Sequence, residues 1–238
     1  MRLGMLLSAL WLLAFFGASP RSLAQQTSHL KANLDLPFDA LATADEEEEV
    51  AEVVVFFGQA YEASAIVFAL DESGSMTEEG RWKLQSREVK RAVSELSEKA
   101  ELSVVYYGSD VSSFRKVPVT ALVQAKAAAK SYVNSRSPDG DTCLGEGVVE
   151  ALRIVRKSKS KHRAVVVTSD GRPDNCTTGD SATPKEVEIL LKKTLVANPG
   201  RKVMVHTVWV GSSRDEEGIA FMKRLAATHG GTFRQVSN

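Results

Sequence analysis

Residues 65–76 read Ala65-Ile66-Val67-Phe68-Ala69-Leu70-Asp71-Glu72-Ser73-Gly74-Ser75-Met76. The first half is a short continuous apolar run, which predicts a strand buried on both faces, as the strands of a parallel sheet are. The second half places oxygen side chains at alternate positions in a turn. In open α/β sheets, ligands bind beyond the carboxyl ends of the strands. This stretch therefore predicts both a central parallel strand and the position of a binding site.

Similar apolar runs alternate along the chain with stretches of helical period, which is the pattern of an α/β protein. Buried strands are predicted at residues 65–70, 103–107, 164–168 and 203–210. Between them, apolar residues at helical spacing predict three helix faces: Val89, Val93, Leu96 and Ala100; Leu122, Ala125, Ala129 and Tyr132; Val148, Leu152 and Val155. The predicted fold class is α/β, with a doubly wound, mostly parallel central sheet and helices on both faces.

Shorter segments complete this predicted fold. Residues 112–119 are expected to form one antiparallel edge strand, because Pro118 cannot donate to a central ladder. Residues 232–236 are expected at another edge, and residues 53–57 are expected to pair antiparallel with the first buried strand. Capping boxes predict two helix starts, at Thr183-Pro184-Lys185-Glu186 and at Ser213-Arg214-Asp215-Glu216.

Length and composition limit the function classes. The chain has 238 residues, 43% of them hydrophobic, which suits one sizeable core. Thirty Lys and Arg balance thirty Asp and Glu, so the excess of positive charge that drives nucleic-acid binding is lacking and no nucleic-acid partner is predicted. Two cysteines are too few for a small disulfide-stapled scaffold.

The N-terminal part is predicted to lie outside the folded domain. Residues 1–24 combine Arg2, an apolar stretch and small residues before a cut after Ala24, which is typical of a secretory signal peptide. An uncleaved N-terminal anchor is the alternative. Residues 25–51 end near a run of acidic residues and are predicted to be an acidic linker or tail. The domain then covers residues 52–238, and the protein is expected to be secreted, periplasmic or in the cell envelope, with no transmembrane segment after cleavage.

Five oxygen side chains from three loops form the candidate site. They are Asp71, Ser73, Ser75, Thr142 and Asp170. Asp170 follows a second buried strand, and in a doubly wound sheet it faces Asp71 across the crevice where the strand order reverses. Carboxylates and hydroxyls are hard ligands that suit Mg²⁺, with Mn²⁺ or Ca²⁺ as alternatives. The sequence therefore predicts metal-dependent recognition, in which a partner's carboxylate replaces a water on the cation.

The pattern D-x-S-x-S, followed by a Thr and then an Asp, resembles the metal-ion-dependent adhesion site of the von Willebrand factor A domain family. Asp71, Ser73 and Ser75 match the first part, Thr142 the second and Asp170 the third. The resemblance covers roughly residues 52–237. It implies a binding module whose serines coordinate the cation directly and whose other ligands bind it directly or through water. It also implies an acidic protein or glycan ligand that completes the coordination shell.

Other interpretations of these residues are open. The Ser- and Asp-rich turns could simply cap helices and satisfy loop amides. The domain could be a scaffold or assembly subunit of a cell-envelope complex that works without metal. A Mg²⁺-dependent phosphoryl-transfer enzyme is the catalytic alternative, but phosphatases of the haloacid-dehalogenase type have a second Asp where this chain has Ser73. Common nucleophile, P-loop and zinc-protease motifs are also lacking, so the protein is not predicted to be an enzyme.

The two cysteines lie close in sequence to predicted ligands. Cys143 follows Thr142, and Cys176 lies six residues after Asp170. A disulfide between them is predicted, because export permits one and it would brace two ligand loops. A catalytic thiol and a soft-metal ligand are the alternatives, although no His is predicted on these loops.

Overall fold

A computed structural model describes residues 50–212 and 214–237. The predicted signal peptide, and the predicted linker up to residue 49, lie outside this described part. The limits of the three predicted segments therefore stay predictions. Within the described ranges, no helix is both long enough and apolar enough to cross a bilayer.

Nine strands form the sheets of the molecule in its described part. They are β1 (Val53–Phe56), β2 (Gln59–Glu62), β3 (Ala65–Asp71), β4 (Glu101–Tyr107), β5 (Val111–Ser113), β6 (Val119–Thr120), β7 (Arg163–Ser169), β8 (Met204–Val210) and β9 (Phe233–Val236). The main sheet has the order β5-β4-β3-β7-β8-β9, with β6 also paired to β4. Strands β4, β3, β7, β8 and β9 run parallel. The predicted doubly wound α/β fold is confirmed.

The edges of the sheets differ in part from expectation. The predicted antiparallel edge at residues 112–119 is present as two short strands, β5 and β6, on either side of a loop. The predicted pairing of residues 53–57 with the first buried strand is wrong. Strand β1 pairs with β2 in a separate antiparallel hairpin, because the chain reverses at Phe57 and Gly58, which have φ of 50° and 70°. This backbone fits a tight hairpin turn.

Among the residues that the structure describes, five α-helices cover the main sheet: α1 (Arg81–Glu95), α2 (Val123–Asn134), α3 (Leu144–Val155), α4 (Pro184–Ala197) and α5 (Glu216–Thr228). Helix α4 begins with the predicted capping box. The Glu186 amide donates to the Thr183 hydroxyl, and the Thr183 amide donates to the Glu186 carboxylate. The second predicted box does not start α5. Asp215 caps that helix by accepting from the Gly218 amide, so the helix begins after the predicted start.

Strand β3 separates two hydrophobic cores. Ile66, Phe68 and Leu70 point into one core, whereas Ala65 and Val67 point into the other. All seven residues of β3 are buried. This double burial explains the continuous apolar run, and it leaves the end of the strand as the first place where polar side chains can collect.

A buried polar cluster near the end of α5 makes stability depend on pH. Burial lowers the pKa of the His229 imidazole to about 4, so this side chain is neutral in the folded protein. Its ring nitrogens lie 2.9 Å from the Asn198 amide nitrogen and 2.9 Å from the Thr194 hydroxyl. Because the amide donates to Nδ1, a second ring proton would remove this bond. The folded state therefore disfavours the charged imidazole.

Acidification is expected to weaken the fold through His229. Below pH 6.5 the His229 side chain becomes protonated in the unfolded chain but stays neutral in the folded chain until the pH approaches 4. The free energy of unfolding therefore falls by at most about 2 kcal/mol by pH 5. Urea unfolding between pH 8 and pH 5 measures this loss in the wild type and in His229→Gln. The difference at pH 8 gives the structural cost of the substitution. Parallel pH curves for the two proteins would refute this role of His229.

Candidate metal centre

The two predicted aspartates lie at the carboxyl ends of neighbouring strands. Asp71 is the last residue of β3, and Asp170 follows the last residue of β7. These strands pair in parallel, so their carboxyl ends meet at one edge of the sheet. Asp71 is 0% exposed and Asp170 is 4% exposed. The two carboxyl groups are therefore buried at the same edge of the sheet, close enough for the charge of Asp170 to act on Asp71.

A continuous chain of hydrogen bonds connects four of the five predicted ligands. The Ser73 amide donates to Asp71 Oδ1 at 2.8 Å. The hydroxyls of Ser73 and Ser75 are 3.1 Å apart, and Ser75 donates to Asp170 Oδ1 at 2.8 Å. The alternation of the sequence D-x-S-x-S thus brings its oxygens together, because the turn after β3 folds back over the end of β7.

Thr142 lies beside this cluster, on the loop that leads into α3. It is buried, and its amide donates to the Asp174 carboxylate at 2.8 Å. A Cβ atom placed on Gly171, the residue after Asp170, would lie 4.0 Å from the Thr142 hydroxyl. In the described part of the chain, Thr142 is therefore a neighbour of the hydrogen-bonded chain and not a member of it.

The electrostatics of Asp71 favour a cation. Burial, reinforced by the neighbouring charge of Asp170, raises the pKa of the Asp71 carboxyl to about 7, against the opposing hydrogen bonds from Ser73 and Ser169. Ser169, which lies outside the sequence motif, donates to Asp71 Oδ2 at 2.8 Å. A buried carboxylate that has hydrogen bonds but remains close to a like charge is stabilised by a nearby cation.

Arg81 is a second residue of this cluster that the sequence motifs do not indicate. It is the first residue of α1, and its Nη1 atom lies 2.6 Å from Asp170 Oδ2. Its side chain is only 7% exposed. Asp170 thus already has a buried cationic partner, whereas the partners that the structure shows for the Asp71 carboxylate are an amide and a hydroxyl.

Gln85 holds the ends of the two strands in register. Its side-chain amide donates to the Asp71 carbonyl at 2.8 Å, and its side-chain oxygen accepts from the Thr168 hydroxyl at 2.5 Å. Tyr107 lies on β4, the neighbour of β3 on its other side, and its hydroxyl donates to the Thr168 carbonyl of β7. Helix α1 therefore fixes the backbone that carries the candidate ligands.

The structure pairs Cys143 with Cys176 in a disulfide, with a Cα–Cα distance of 5.4 Å and a sequence separation of 33 residues. A bridge that closes a loop of this size contributes about 2–4 kcal/mol to stability. It connects the residue after Thr142 with the segment that follows Asp170. The predicted pairing therefore joins the two loops that contribute Thr142 and Asp170.

The donor set fits a hard divalent cation. Carboxylate and hydroxyl oxygens are the atoms that converge here, and they are ligands of Mg²⁺, Mn²⁺ and Ca²⁺. Within the described ranges, no group of three or more His, Cys, Asp or Glu side chains has the arrangement of a metal site. A site at the ends of β3 and β7 would therefore depend on its serine and threonine hydroxyls as well as on its two carboxylates.

Comparison with known families agrees with this architecture. The model of the von Willebrand factor type A domain matches residues 65–238, from the first residue of β3 to the end of the chain. The chain belongs to the von Willebrand factor type A domain family. The site at the ends of β3 and β7 therefore lies within a VWA domain.

Curated relatives of this VWA domain are longer proteins. Inter-alpha-trypsin inhibitor heavy chain H3 of Homo sapiens is 22% identical over 179 residues, a match that covers 72% of this chain and 19% of the relative. The uncharacterized protein YfbK of Escherichia coli strain K12 is 28% identical over 177 residues, which covers 73% of this chain and 28% of the relative. The chain thus spans less than a third of the length of these relatives.

Solved structures share the fold. A von Willebrand factor type A protein from Catenulispora acidiphila superposes with a TM-score of 0.62 at 20% identity, over 76% of this chain and 40% of the other. The pilus adhesin SpaC of Lactobacillus rhamnosus GG superposes with a TM-score of 0.59 at 13% identity, over 74% of this chain and 28% of the adhesin. At these identities the likeness establishes the fold alone.

Proposed function

We propose that this VWA domain is an exported, non-enzymatic binding module. In this proposal the domain holds a divalent cation, Mg²⁺ in the first place, at Asp71, Ser73, Ser75, Thr142 and Asp170. The cation then captures an acidic group of a protein or glycan partner. The observation that carries the proposal is the buried Asp71 carboxylate, which faces Asp170 and lies in one hydrogen-bonded chain with two serine hydroxyls.

The shape of the site supports capture of a ligand at an open face. Asp71 and Ser73 are buried, whereas Ser75 is exposed. A cation held between them would have protein ligands below and solvent above. Because Mg²⁺ keeps several waters when few carboxylates bind it, an incoming carboxylate can replace one of those waters. When bound, the cation supplies this ligand position and neutralises the two buried carboxylates.

The comparisons support the class of function and a location outside the cytoplasm. One structural neighbour is a pilus adhesin, and several curated relatives are inter-alpha-trypsin inhibitor heavy chains. A location in the cell envelope or outside the cell would also suit the disulfide, since oxidising compartments preserve such bonds.

Titration calorimetry with Mn²⁺, Mg²⁺ and Ca²⁺ tests the cation step. The wild-type domain is expected to bind one cation, and Ser73→Ala is expected to weaken the binding at least about tenfold, since a ligand is lost. Ser94→Ala is the matched control, because this exposed serine lies on α1 and donates to the Lys90 carbonyl. Equal affinity of Ser73→Ala and Ser94→Ala would contradict the proposed ligand set.

A metal-independent scaffold is a second candidate, and the Arg81–Asp170 ion pair favours it. This pair neutralises one of the two buried carboxylates without any metal. A pull-down with and without chelator separates the two candidates. Capture that disappears with chelator supports the cation-dependent module, whereas capture that ignores both chelator and Asp71→Asn supports the scaffold.

A further inference from the structure

We propose that Arg81 is an internal counter-cation of the metal site, which competes with the divalent cation for the Asp170 carboxylate and so sets the cation affinity. The inference rests on the proposed function, because it concerns the same site. It adds a regulating residue that lies outside the five predicted ligands.

The first support is that each carboxylate oxygen of Asp170 has a hydrogen-bond partner. Its Oδ2 atom lies 2.6 Å from Arg81 Nη1, and its Oδ1 atom accepts from the Ser75 hydroxyl at 2.8 Å. Both carboxylate oxygens are therefore already bonded. A cation that binds Asp170 must approach an oxygen that the guanidinium or the hydroxyl holds. Because the Arg81 and Asp170 side chains are 7% and 0% exposed, water screens the repulsion between the cation and Arg81 only weakly.

The second support is that Arg81 has further carboxylate partners besides Asp170. Its Nη2 atom lies 3.1 Å from Glu79 Oε2, and its Nη1 atom lies 3.6 Å from Glu78 Oε2. Glu79 is itself held by the Ser212 hydroxyl at 2.6 Å and by the Ser212 amide at 3.1 Å. Arg81 therefore has carboxylate partners besides Asp170, which it would keep if a cation displaced it from Asp170.

The third support is that the fold leaves room for Arg81 at Asp170. Gly211 follows β8 and has a φ of +118°, which favours glycine. A Cβ atom on this residue would lie 2.5 Å from Arg81 Nε. Arg81 Nη1 also lies 3.4 Å from the Ser75 carbonyl oxygen. The Arg81 side chain thus lies between the loop after β8 and the loop that carries the candidate ligands.

The test compares Arg81→Gln with Arg91→Gln in two measurements. Arg91 is the matched control, because it also lies on α1 and pairs with Glu88 and Glu95. Calorimetric titration with Mn²⁺ is expected to give a Kd at least about tenfold lower for Arg81→Gln than for the wild type, since the competing charge is gone. In chelator, Arg81→Gln is expected to melt at a lower temperature than the wild type. Arg91→Gln is expected to keep the wild-type Kd.

Each outcome bears on the inference separately from the proposed function. If the wild type does not bind Mn²⁺ but Arg81→Gln does, the inference stands and the proposed function fails. If the wild type binds Mn²⁺ and Arg81→Gln binds it with the same Kd, the inference is overturned and the proposed function stands. If neither protein binds Mn²⁺, both are overturned.

A second measurement keeps the inference testable if Arg81→Gln does not fold. The Nη1–H resonances of Arg81 in the wild-type protein report on its ion pair with Asp170, and Mg²⁺ titration is expected to shift these resonances as the arginine leaves Asp170. The Arg91 resonance serves as the internal reference. An Arg81 resonance that stays unchanged while Mg²⁺ saturates the site would overturn the inference.

Discussion

Asp71→Asn is expected to abolish the stabilisation of the domain by divalent cations. A ligand present at 100 times its Kd stabilises the folded state by about 2.7 kcal/mol, which for a chain of this size raises the melting temperature by roughly 5–10 °C. The wild type should show this rise with its preferred cation. The charge of the buried Asp71 carboxylate is balanced by an amide and a hydroxyl, whereas Asp170 forms an ion pair with Arg81. The variant keeps the shape of the side chain but loses its charge.

The same substitution carries a second expectation in chelator. At pH 8 the Asp71 carboxylate, whose pKa is raised to about 7, is ionised at a cost to the folded protein. Asp71→Asn removes this cost, so in chelator its melting temperature is expected to equal or exceed that of the wild type. Thermal unfolding with chelator, Mg²⁺, Mn²⁺ and Ca²⁺ measures both effects. Asp110→Asn, at an exposed loop position, is the control. A cation response that survives in Asp71→Asn would remove Asp71 from the site.

Gly231→Ala is expected to be the most damaging single substitution outside the site. A Cβ atom at this position would lie 1.9 Å from the Val205 carbonyl oxygen and 2.4 Å from its carbon. These are backbone atoms of β8, which is bonded to β7 on one side and to β9 on the other. The strand cannot move away without breaking its ladders. We expect a loss of about 3 kcal/mol or more in the free energy of unfolding.

The neighbouring residue Gly230 offers a matched control. A Cβ atom there would meet nothing within 4 Å, but the residue has a φ of +71°. Gly230→Ala is therefore expected to lose only about 1 kcal/mol, from backbone strain. Urea unfolding measures both variants. Equal losses for the two would show that the close approach of Gly231 to β8 does not limit stability.

The central strands were predictable because each is buried on both faces. A strand such as β3, with neighbours on both sides and helices above and below, has no polar face, so its apolar run is continuous and its end is sharp. The residue after that run is then fixed at the edge of the sheet. For this reason Asp71 and Asp170 could be placed opposite each other from the sequence alone.

The β1–β2 hairpin and Arg81 could not be predicted in the same way. The hairpin depends on a turn at Phe57 and Gly58, and Phe57 has the unusual φ of 50° for a residue other than glycine. Arg81 begins a helix at the spacing of Gln85 and Val89, which are buried on the same face. A charged residue on a buried helical face indicates that Arg81 has a buried partner. That partner, Asp170, lies 89 residues further along the chain, so the sequence does not identify it. Only the assembled fold shows that pairing.

Anomalous diffraction from crystals of the domain grown with Mn²⁺ tests the central claim most directly. We expect one strong anomalous peak at the carboxyl ends of β3 and β7, within about 2.0–2.6 Å of the Ser73 and Ser75 hydroxyl oxygens. We also expect Arg81 Nη1 to lie farther from Asp170 Oδ2 in these crystals than the present 2.6 Å. A map without a peak there, at a Mn²⁺ concentration far above the measured Kd, would contradict the claim that this VWA domain holds a cation.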